Sequence, residues 1–416
     1  MFFGQCQASY MADVFRTHVA DPLEDGVSVI DAYREPGQPE FEQFAGADVV
    51  VTGIYDDAKF VVTPEVAPRA RLIAFPTAVF SALWPFGHSP HPNAPEAWYQ
   101  YQGWQQVYGD HYLNRLLRKG VSPDEAVDRY LALDVAKEGQ LERQYELAIE
   151  MQQKRDQAAG LLDVAALIER HFRQEPLFRN FSHPLNRIFL AICDAVFHAL
   201  GASPDTLRTV AAAYKEPVIA GDFKPVHPGV AKYFELAWAD QHTEYAFATE
   251  GPLTFEQYCR RHVHYSWNTV LWEGIALGLA GRHADAIPKL RAGLESSPRS
   301  TSGFALLGLA LGMIGRHEEA IEAARKLREL DPGDYRGPFL EGVALNAIGR
   351  FSEASAAFQH ASELHPYQAD VLAWLHRNYR QAGLAEAAAL AARRAAAVYP
   401  RNPSFAAWAN AAGALG

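Results

Sequence analysis

Cysteine is scarce in this chain of 416 residues, and long apolar runs are missing from it. Its three cysteines, Cys6, Cys193 and Cys259, cannot form a disulfide framework and are typical of a reducing compartment. No run of about 18 apolar residues occurs, which excludes a helical membrane span. The opening MFFGQCQASY has no basic segment before an apolar core, so it does not resemble a signal peptide. We therefore expect a soluble cytoplasmic protein.

Sequence motifs for nucleotide binding are also missing, since neither G-x-G-x-x-G nor G-x-x-x-x-G-K-[ST] is present. Residues 1–266 carry 23 Lys and Arg against 35 Asp and Glu, a net charge of −12. The remaining residues carry 15 against 14, a net charge of +1. Because phosphate neutralisation needs clustered cations, the acidic part is not expected to bind nucleic acid. A small phosphorylated ligand held by a few arginines stays compatible with this balance.

The last third of the chain contains a period of 34 residues. Three columns of small or helix-ending residues keep this spacing: Gly281, Gly315, Gly349 and Gly383; Ala286, Ala320, Ala354 and Ala388; Pro298, Pro332, Pro366 and Pro400. A fourth column holds Gly274, Gly308 and Gly342, and is broken by His376. Small residues let two antiparallel helices approach closely, and proline ends the second helix. This pattern is the signature of tetratricopeptide repeats.

The repeat boundaries follow from these columns. They predict four units, at 267–300, 301–334, 335–368 and 369–402, which is enough for a stable helical stack. The tail SFAAWANAAGALG predicts a helix that caps the last unit. Arrays of this kind present a groove to other molecules, so we expect a protein partner there. An accidental Ala-rich bundle is the alternative interpretation.

Strand and helix patterns alternate in the first part of the chain and predict an α/β domain. Segments rich in Val and Ile predict parallel strands at 1–3, 27–32, 48–52 and 70–75. Many added helices are expected, over 7–18, between about 104 and 178, and over 185–200. The predicted domains are an α/β domain at 1–230, a helical connector at 231–266 and the all-α repeats at 267–416. Helices at 230–240 and 254–261 are expected within the connector.

Cys6 stands directly after the first strand, in Gly4-Gln5-Cys6-Gln7, and begins the first helix. In a parallel sheet this is the edge where ligands bind. The free N–H groups and positive partial charge of a helix start favour a thiolate, which predicts a nucleophilic cysteine. Backbone N–H groups there, that of Gln7 among them, are suited to hold an oxyanion. A buried structural cysteine is the alternative, as we expect for Cys193 and Cys259.

His183 is the candidate base for this cysteine. It lies in Asn180-Phe181-Ser182-His183-Pro184, directly before an apolar helix. A Cys–His pair with a third group that orients the imidazole is the general arrangement for nucleophilic catalysis. The alternative for His183 is a local hydrogen bond at the start of that helix.

Two family resemblances rest on these residues. Gly4-Gln5-Cys6 and Asn180-x-x-His183 resemble the nucleophile and base motifs of SGNH (GDSL-type) hydrolases, with Cys for Ser, Gln for Asp and Asn for Asp. Gly53 begins the segment that corresponds to the family's Gly-x-Asn-Asp, which implies an oxyanion contact from its backbone. Tyr55 replaces the family's side-chain donor in that segment.

A closer resemblance covers roughly residues 1–200. GQCQA, IAFPTAVFSALWPFGH and the segment from QKRD to LFRNFSHP are similar to the WcbI family of capsular-polysaccharide acetyltransferases. Such proteins typically open with Gly-Asn-Cys-Gln, and Gln5 replaces the Asn here. Only three residues precede Gly4, so we expect either a very short first strand or a start upstream of Met1.

The WcbI resemblance implies coenzyme A binding and transfer of an acetyl group to a sugar hydroxyl. It makes Cys6 the nucleophile or an acyl-binding thiol, His183 the general base and Asn180 the group that orients His183. The candidates for the coenzyme phosphates are three arginines around His183, each of which could also be an ordinary surface residue: Arg173, Arg179 and Arg187.

The Pro-rich loop WPFGHSPHPN after the fourth strand is expected to shape the substrate pocket. Trp84 and His88 are its candidate sugar contacts, and no metal site is expected because the His88–His91 pair lacks further ligands at the usual spacing.

Three functions remain open from the sequence. The first is an acetyl-CoA-dependent O-acetyltransferase acting on a capsular or other surface polysaccharide or its precursor. The second is a cysteine-dependent esterase on the same scaffold. The third is a non-catalytic scaffold in which the repeats carry the function.

Overall fold

A computed structural model of the chain describes most of its residues, in two compact units. The described residues are 1–20, 26–31, 39–55, 61–87, 91, 109–214, 217–219, 223–247, 250–264, 266–366, 368–399 and 402–413. The first unit comprises Met1–Tyr245 and Thr254–Ser266, and the second comprises Ala246–Leu253 and Trp267–Gly416. The sequence boundaries at 230 and 266 stay a prediction.

The first unit is built on a parallel sheet of four strands. These are β1 (Phe2–Gly4), β2 (Val29–Asp31), β3 (Val49–Ile54) and β4 (Arg71–Pro76), in the order β2-β1-β3-β4. Phe3 pairs with Ile30 on one side and with Thr52 on the other. Because β2 and β3 flank β1 on opposite sides, the chain changes direction across the sheet at β1. The carboxyl ends of β1 and β3 therefore border a topological switch point.

Successive side chains of β1 point to opposite faces of the sheet, and both faces are covered. Phe3 packs with Ile30, Phe44 and Val50 in one buried cluster. On the other face, Phe2 contacts the ring of Phe15 at 5.5 Å between centroids. Burial on both sides is the reason why these strands are nearly continuous apolar runs.

The helices of the first unit surround this sheet. A 3-10 helix spans Pro39–Gly46, and the α-helices are α1 (Cys6–His18), α2 (His111–Arg118), α3 (Pro123–Leu131), α4 (Val135–Glu138), α5 (Leu141–Ala159), α6 (Val164–His171), α7 (Asn186–Ala199), α8 (Pro204–Ala213), α9 (Pro228–Phe234) and α10 (Phe255–Val263). A short hairpin in this unit joins β5 (Phe178–Asn180) to β6 (His183–Pro184). A second hairpin joins β7 (Tyr245–Phe247) to β8 (Gly251–Leu253), and all of it except Tyr245 belongs to the second unit. The predicted α/β class with many added helices is confirmed.

The second unit is a run of helix pairs with the predicted 34-residue period. Its helices are α11 (Thr269–Leu279), α12 (His283–Ser296), α13 (Thr301–Met313), α14 (His317–Leu330), α15 (Arg336–Ala347), α16 (Phe351–Leu364), α17 (Ala369–Gln381), α18 (Ala385–Val398) and α19 (Pro403–Gly413). The predicted all-α tetratricopeptide solenoid is confirmed. Phe405 of α19 is buried with Leu372, Ala395 and Tyr399.

Each first helix of a repeat ends in the same way. Gly281, Gly315, Gly349 and Gly383 have φ values of 75°, 82°, 78° and 73°, in the left-handed region that favours glycine. In the first repeat the N–H of Arg282 then donates to the carbonyl of Leu277 at 2.9 Å. This six-to-one bond closes the helix end, and it recurs in the other three repeats.

The helix interfaces differ between repeats at the glycine column. A Cβ on Gly274 would lie 2.8 Å from the backbone nitrogen of Leu290, so α11 and α12 touch there. A Cβ on Gly308 would meet nothing closer than 3.6 Å. The same column thus contains one glycine required by packing and one that is not.

Among the described residues, no helix combines the length and the apolar character needed to cross a lipid bilayer.

We predict opposite effects of alanine at these two glycines. Gly274→Ala should destabilise the repeats by about 1–3 kcal/mol, because the backbone of α12 must move to make room. Gly308→Ala should leave stability unchanged or raise it by up to about 1 kcal/mol, because alanine is the better helix former. Amide hydrogen exchange in the full chain, read on peptides from α11 to α14, measures both changes. Equal effects at the two positions would contradict the close contact at Gly274.

Candidate active site at the carboxyl edge of the sheet

The candidate nucleophile lies at the switch point of the sheet. β1 ends at Gly4, and Cys6 is the first residue of α1, whose N-cap is Gln5. The Cys6 side chain is half-buried. The N–H of Ala8 in the first turn donates to the carbonyl of Gln5 at 2.9 Å. The N–H groups at a helix start, that of Gln7 among them, point away from the helix body towards the region beyond the strand. The place of Cys6 at the start of α1, directly after β1, is the one expected from the sequence. Its role as a nucleophile with an adjacent oxyanion site stays a prediction.

Tyr55, directly after β3, crosses the same edge. Its hydroxyl oxygen accepts a hydrogen bond from the N–H of Gln5 at 2.5 Å. A Cβ on Gly4 would lie 2.5 Å from this oxygen, and a Cβ on Gly53 would lie 2.9 Å from it. Both glycines are therefore needed to let the phenol lie against the ends of β1 and β3. Tyr55 thus lies at the edge that carries Cys6.

Gln7 joins α1 to two other segments. Its side-chain Nε2 donates to the carbonyls of Ala78 and Ser182, each at 2.9 Å. Its Oε1 accepts from the N–H of Ala78 at 3.0 Å. The side chain and its two bonds to Ala78 are buried, and its bond to Ser182 is partly buried. One amide therefore connects the segment of Cys6, the loop after β4 and the turn before His183.

The turn that carries His183 is a hairpin between β5 and β6. The Asn180 side-chain oxygen accepts from the backbone N–H groups of Ser182 at 3.0 Å and His183 at 3.1 Å. The carbonyl of Phe181 accepts from the N–H of Phe80 at 2.7 Å. Asn180 thus positions His183 through the backbone of the turn, and its oxygen is directed to those amides rather than to the imidazole.

The imidazole of His183 is largely buried beside a cation. Burial lowers the pKa of His183 below its usual value, and the nearby Arg179 guanidinium lowers that pKa further. Both effects disfavour the charged ring. His183 is therefore neutral at neutral pH, which is the state in which it can accept a proton.

A buried polar cluster on α5 supports the loop after β4. Arg155 donates from Nε to the carbonyl of Thr77 at 3.1 Å. Gln152 accepts from the N–H of Val79 at 3.1 Å and donates to Asp156 at 2.9 Å. The buried cation thereby fixes the loop to which Gln7 and Phe181 are bonded. Arg155 and Asp156 belong to the segment from QKRD to LFRNFSHP on which the WcbI resemblance partly rests, and Gln152 precedes that segment.

Of the three arginines predicted for phosphates, the structure brings Arg179 to His183. Its guanidinium also lies 4.7 Å from the centre of the Phe223 ring. Arg187 forms an ion pair with Glu175. Arg173 lies over the ring of Phe172 at 4.5 Å.

The residues predicted for sugar binding have different positions. Trp84 is buried, and its indole N–H donates to the carbonyl of Lys224 at 3.1 Å, which makes it part of the packing. His88 lies outside the described residues. His91 is buried against the ring of His262, at 5.5 Å between centroids.

Sequence reasoning missed Tyr55 and the side chain of Gln7 as site residues. The signal for Tyr55 was its place after β3, at the same edge as Cys6. The signal for Gln7 was its place one residue after the nucleophile, at a position of α1 that packs inward. Neither signal gives the partner, because Ala78 and Ser182 are 71 and 175 residues away in the chain.

We predict that Gln7→Met loosens the site. The change leaves the Ala78 N–H and the Ala78 and Ser182 carbonyls without a partner, at about 1–3 kcal/mol for each buried group left unpaired. Chemical denaturation should show a clear loss of stability, and hydrogen exchange should rise in peptides covering Ala78 and Ser182. Gln153→Met, at an exposed position of α5, is the matched control and should change neither. Unaltered exchange at both segments in Gln7→Met would contradict the proposed connection.

We also predict the direction in which the His183 titration moves. The pKa of His183 should lie below its usual value of 6.5, measured by histidine ring resonances against pH. Arg179→Gln removes a positive neighbour and should raise this pKa towards 6.5. Arg187→Gln is the matched control, because Arg187 pairs with Glu175 and is not among the causes of the shift. A lower pKa in Arg179→Gln would be incompatible with the structure.

Comparisons with known proteins match two parts of the chain. Residues 1–205 match the family model described as "Polysaccharide biosynthesis enzyme WcbI". No curated protein sequence matches the chain. A solved structure of WcbI, described as a novel polysaccharide biosynthesis enzyme in its native form without a disulfide bond between coenzyme A and a cysteine, is 13% identical. It covers 64% of this chain and 88% of that chain, with a TM-score of 0.49.

Solved repeat proteins are also similar to part of the chain. The crystal structure of MamA is 23% identical and covers 35% of this chain and 80% of that chain, with a TM-score of 0.32. TTC0263, a thermophilic TPR protein of Thermus thermophilus, is 18% identical and covers 35% and 79%, with a TM-score of 0.30. Together with the confirmed fold of each unit, the family match over residues 1–205 shows that the chain carries a domain of the WcbI family of polysaccharide biosynthesis enzymes, followed by tetratricopeptide repeats.

Proposed function

We propose that the first unit is an O-acetyltransferase that moves an acetyl group from acetyl-CoA to a hydroxyl of a capsular or other surface polysaccharide, or of its precursor. The observation that carries the proposal is the connection made by Gln7, which joins the helix start at Cys6 to the turn of His183. The segments of the proposed nucleophile and the proposed base are thereby held together, within a domain that matches a polysaccharide biosynthesis family.

The first half of the proposed reaction forms an acyl-enzyme. The thiol of Cys6 gives its proton to His183, and the sulfur attacks the carbonyl carbon of acetyl-CoA. The carbonyl oxygen becomes an oxyanion that backbone N–H groups at Gln7 and Gly53 stabilise. When the tetrahedral centre collapses, the carbon–sulfur bond to the coenzyme breaks, and the coenzyme thiolate takes the proton from His183. The acetyl group is then a thioester on Cys6.

The second half transfers the acetyl group to the sugar. The neutral imidazole of His183 accepts the proton of the sugar hydroxyl as its oxygen attacks the thioester carbon. The bond to Cys6 breaks, an oxygen ester forms, and the proton returns to the Cys6 sulfur. Asn180 keeps His183 in place through the backbone of the turn. The hydroxyl of Tyr55, held against the N–H of Gln5, is a further group suited to contact the oxyanion.

The donor and the repeats complete the proposal. Arg179 is the arginine best placed to meet a coenzyme phosphate, because it lies beside His183, whereas Arg187 is paired with Glu175. Arg173 lies over an aromatic ring and remains a weaker candidate. The repeats bind a protein partner in their groove.

We predict that Cys6→Ala abolishes acetyl transfer without unfolding the protein. Incubation with acetyl-CoA should add the mass of one acetyl group to the wild-type protein, on the peptide containing Cys6, and nothing to Cys6→Ala. Cys193→Ala is the matched control, because Cys193 is buried in α7. This control should be acetylated like the wild type.

The same experiment separates the alternatives. Loss of the adduct by hydrolysis at the same rate with and without glycan would favour the esterase. No heat of binding for acetyl-CoA would overturn the acetyltransferase. A Cys6 thiol that titrates like a free cysteine, with a pKa of about 8.5, in its reaction with thiol reagents would count against both enzymatic functions and favour the scaffold.

A further inference from the structure

A basic cleft lies on the first unit, built around α2. Phe86, His111, Tyr112, Arg115, Arg118 and Lys119 line it, and it holds about 410 Å³. Arg118 and Lys119 lie three and four residues after Arg115, at the end of α2, so the three cations share one side of the helix end. The cleft is open to solvent, and its three permanently charged side chains are exposed.

These cations have no acidic partner among the residues that the structure describes. Some other surface cations of this unit have one, for example Arg129 with Glu125 and Lys154 with Glu150. The contrast is notable because the first 266 residues carry 35 acidic side chains against 23 basic ones. A field of that sign repels anions in general. Three neighbouring cations whose described surroundings contain no acidic partner therefore define a local place where an anion is attracted.

The cleft has a fixed aromatic floor. The ring of Tyr112 stacks on Tyr130 with centroids 5.0 Å apart, and it lies 5.3 Å from Phe86. The Arg115 guanidinium lies 5.0 Å from the centre of the Tyr112 ring. Asp110 caps α2 by accepting from the N–H groups of Tyr112 and Leu113. The cations are therefore presented from a rigid element, which reduces the entropy that binding must overcome.

Phe86 also connects the cleft to the candidate active site along the chain. The segment from Thr77 to Gly87 begins with the loop bonded to Gln7 and ends at the rim of the cleft. Its first residues are fixed by Arg155 and Gln152.

We propose that this cleft binds an acidic saccharide, as the docking site for an anionic stretch of the acceptor glycan. Arginine matches the planar carboxylate of a uronic acid with paired N–H groups, and apolar ring edges suit the faces of sugar rings. An open, one-sided cleft accommodates a continuing chain, which an enclosed pocket does not. The inference rests on the proposed acetyltransferase and names the class of its acceptor.

The test is binding of defined oligosaccharides to the full chain by isothermal titration calorimetry. The probes are a hyaluronan hexasaccharide, a chondroitin sulfate hexasaccharide, neutral maltohexaose and coenzyme A. An acidic hexasaccharide should bind, more weakly as salt is raised because exposed charges are screened, and maltohexaose should bind at least about tenfold more weakly. The variant Arg115→Gln/Arg118→Gln/Lys119→Gln should lose about tenfold or more in affinity for the acidic probe.

The matched control removes the same charge elsewhere. Lys137→Gln/Arg170→Gln/Lys232→Gln changes three exposed cations of the same unit and should keep the affinity within about twofold if the cleft, and not the net charge, attracts the glycan. Circular dichroism checks that both triple variants stay folded.

The outcomes separate this inference from the acetyltransferase itself. Binding of acetyl-CoA without binding of either acidic probe would overturn the assignment of the cleft to an acidic saccharide. It would leave the proposed acetyltransferase unaffected. Saccharide binding that persists in Cys6→Ala, with no acetylation of Cys6 in the wild type, would support saccharide binding in the cleft. It would overturn the proposed acetyl transfer through Cys6. Loss of coenzyme A binding in the cleft variant, with saccharide binding unchanged, would assign the cations to the coenzyme phosphates and overturn the inference.

Discussion

The geometry of the candidate site depends on the side-chain amide of one residue, Gln7. An amide carries both donors and an acceptor, so it can bond to two carbonyls and an N–H at once. A carboxylate at this position could not donate to the carbonyls of Ala78 and Ser182, and an apolar side chain would leave them unsatisfied. Because these groups are buried, the cost of losing their partners is high. The position of the proposed nucleophile, Cys6, relative to the proposed base, His183, is thereby tied to the packing of three segments.

The loop to which Gln7 is bonded is itself held by buried polar side chains of α5. Gln7 can be effective only if the loop after β4 is itself fixed, and Arg155 and Gln152 of α5 fix it through backbone atoms. Burying a guanidinium is costly unless its N–H groups are satisfied, and here carbonyls and an amide satisfy several of them. The charge of α5 is thus used to hold a loop, which favours a defined geometry over a gain in stability.

The sequence could predict the fold because periodic patterns report local structure. The first and third strands were predictable from runs of apolar residues, and the helix that begins at Cys6 from the turn before it. The repeats were predictable from the 34-residue spacing of small residues and prolines. The helix predicted over 230–240 ends earlier, at Phe234, where Glu235 adopts a left-handed conformation with φ of 55°. The buried position of Trp84 and the contacts of Gln7 could not be predicted, because they depend on residues far apart in the chain. Glycine at 274 and 308 looks equivalent in sequence, and only the packing of Leu290 distinguishes the two.

The proposed base, His183, has surroundings unlike those of a histidine held by a carboxylate. A carboxylate partner stabilises the imidazolium and raises the pKa of the ring, whereas His183 has burial and Arg179, which both lower it. A histidine of lowered pKa is a weaker base, so it does not fully deprotonate a sugar hydroxyl in a separate step before the attack. Removal of the proton therefore has to accompany formation of the new carbon–oxygen bond. The proposed thioester intermediate would suit this requirement, because the carbonyl carbon of a thioester is more reactive than that of an oxygen ester. The cysteine and the low-pKa histidine are therefore consistent with each other, and a serine at position 6 would be a poorer match for the same base.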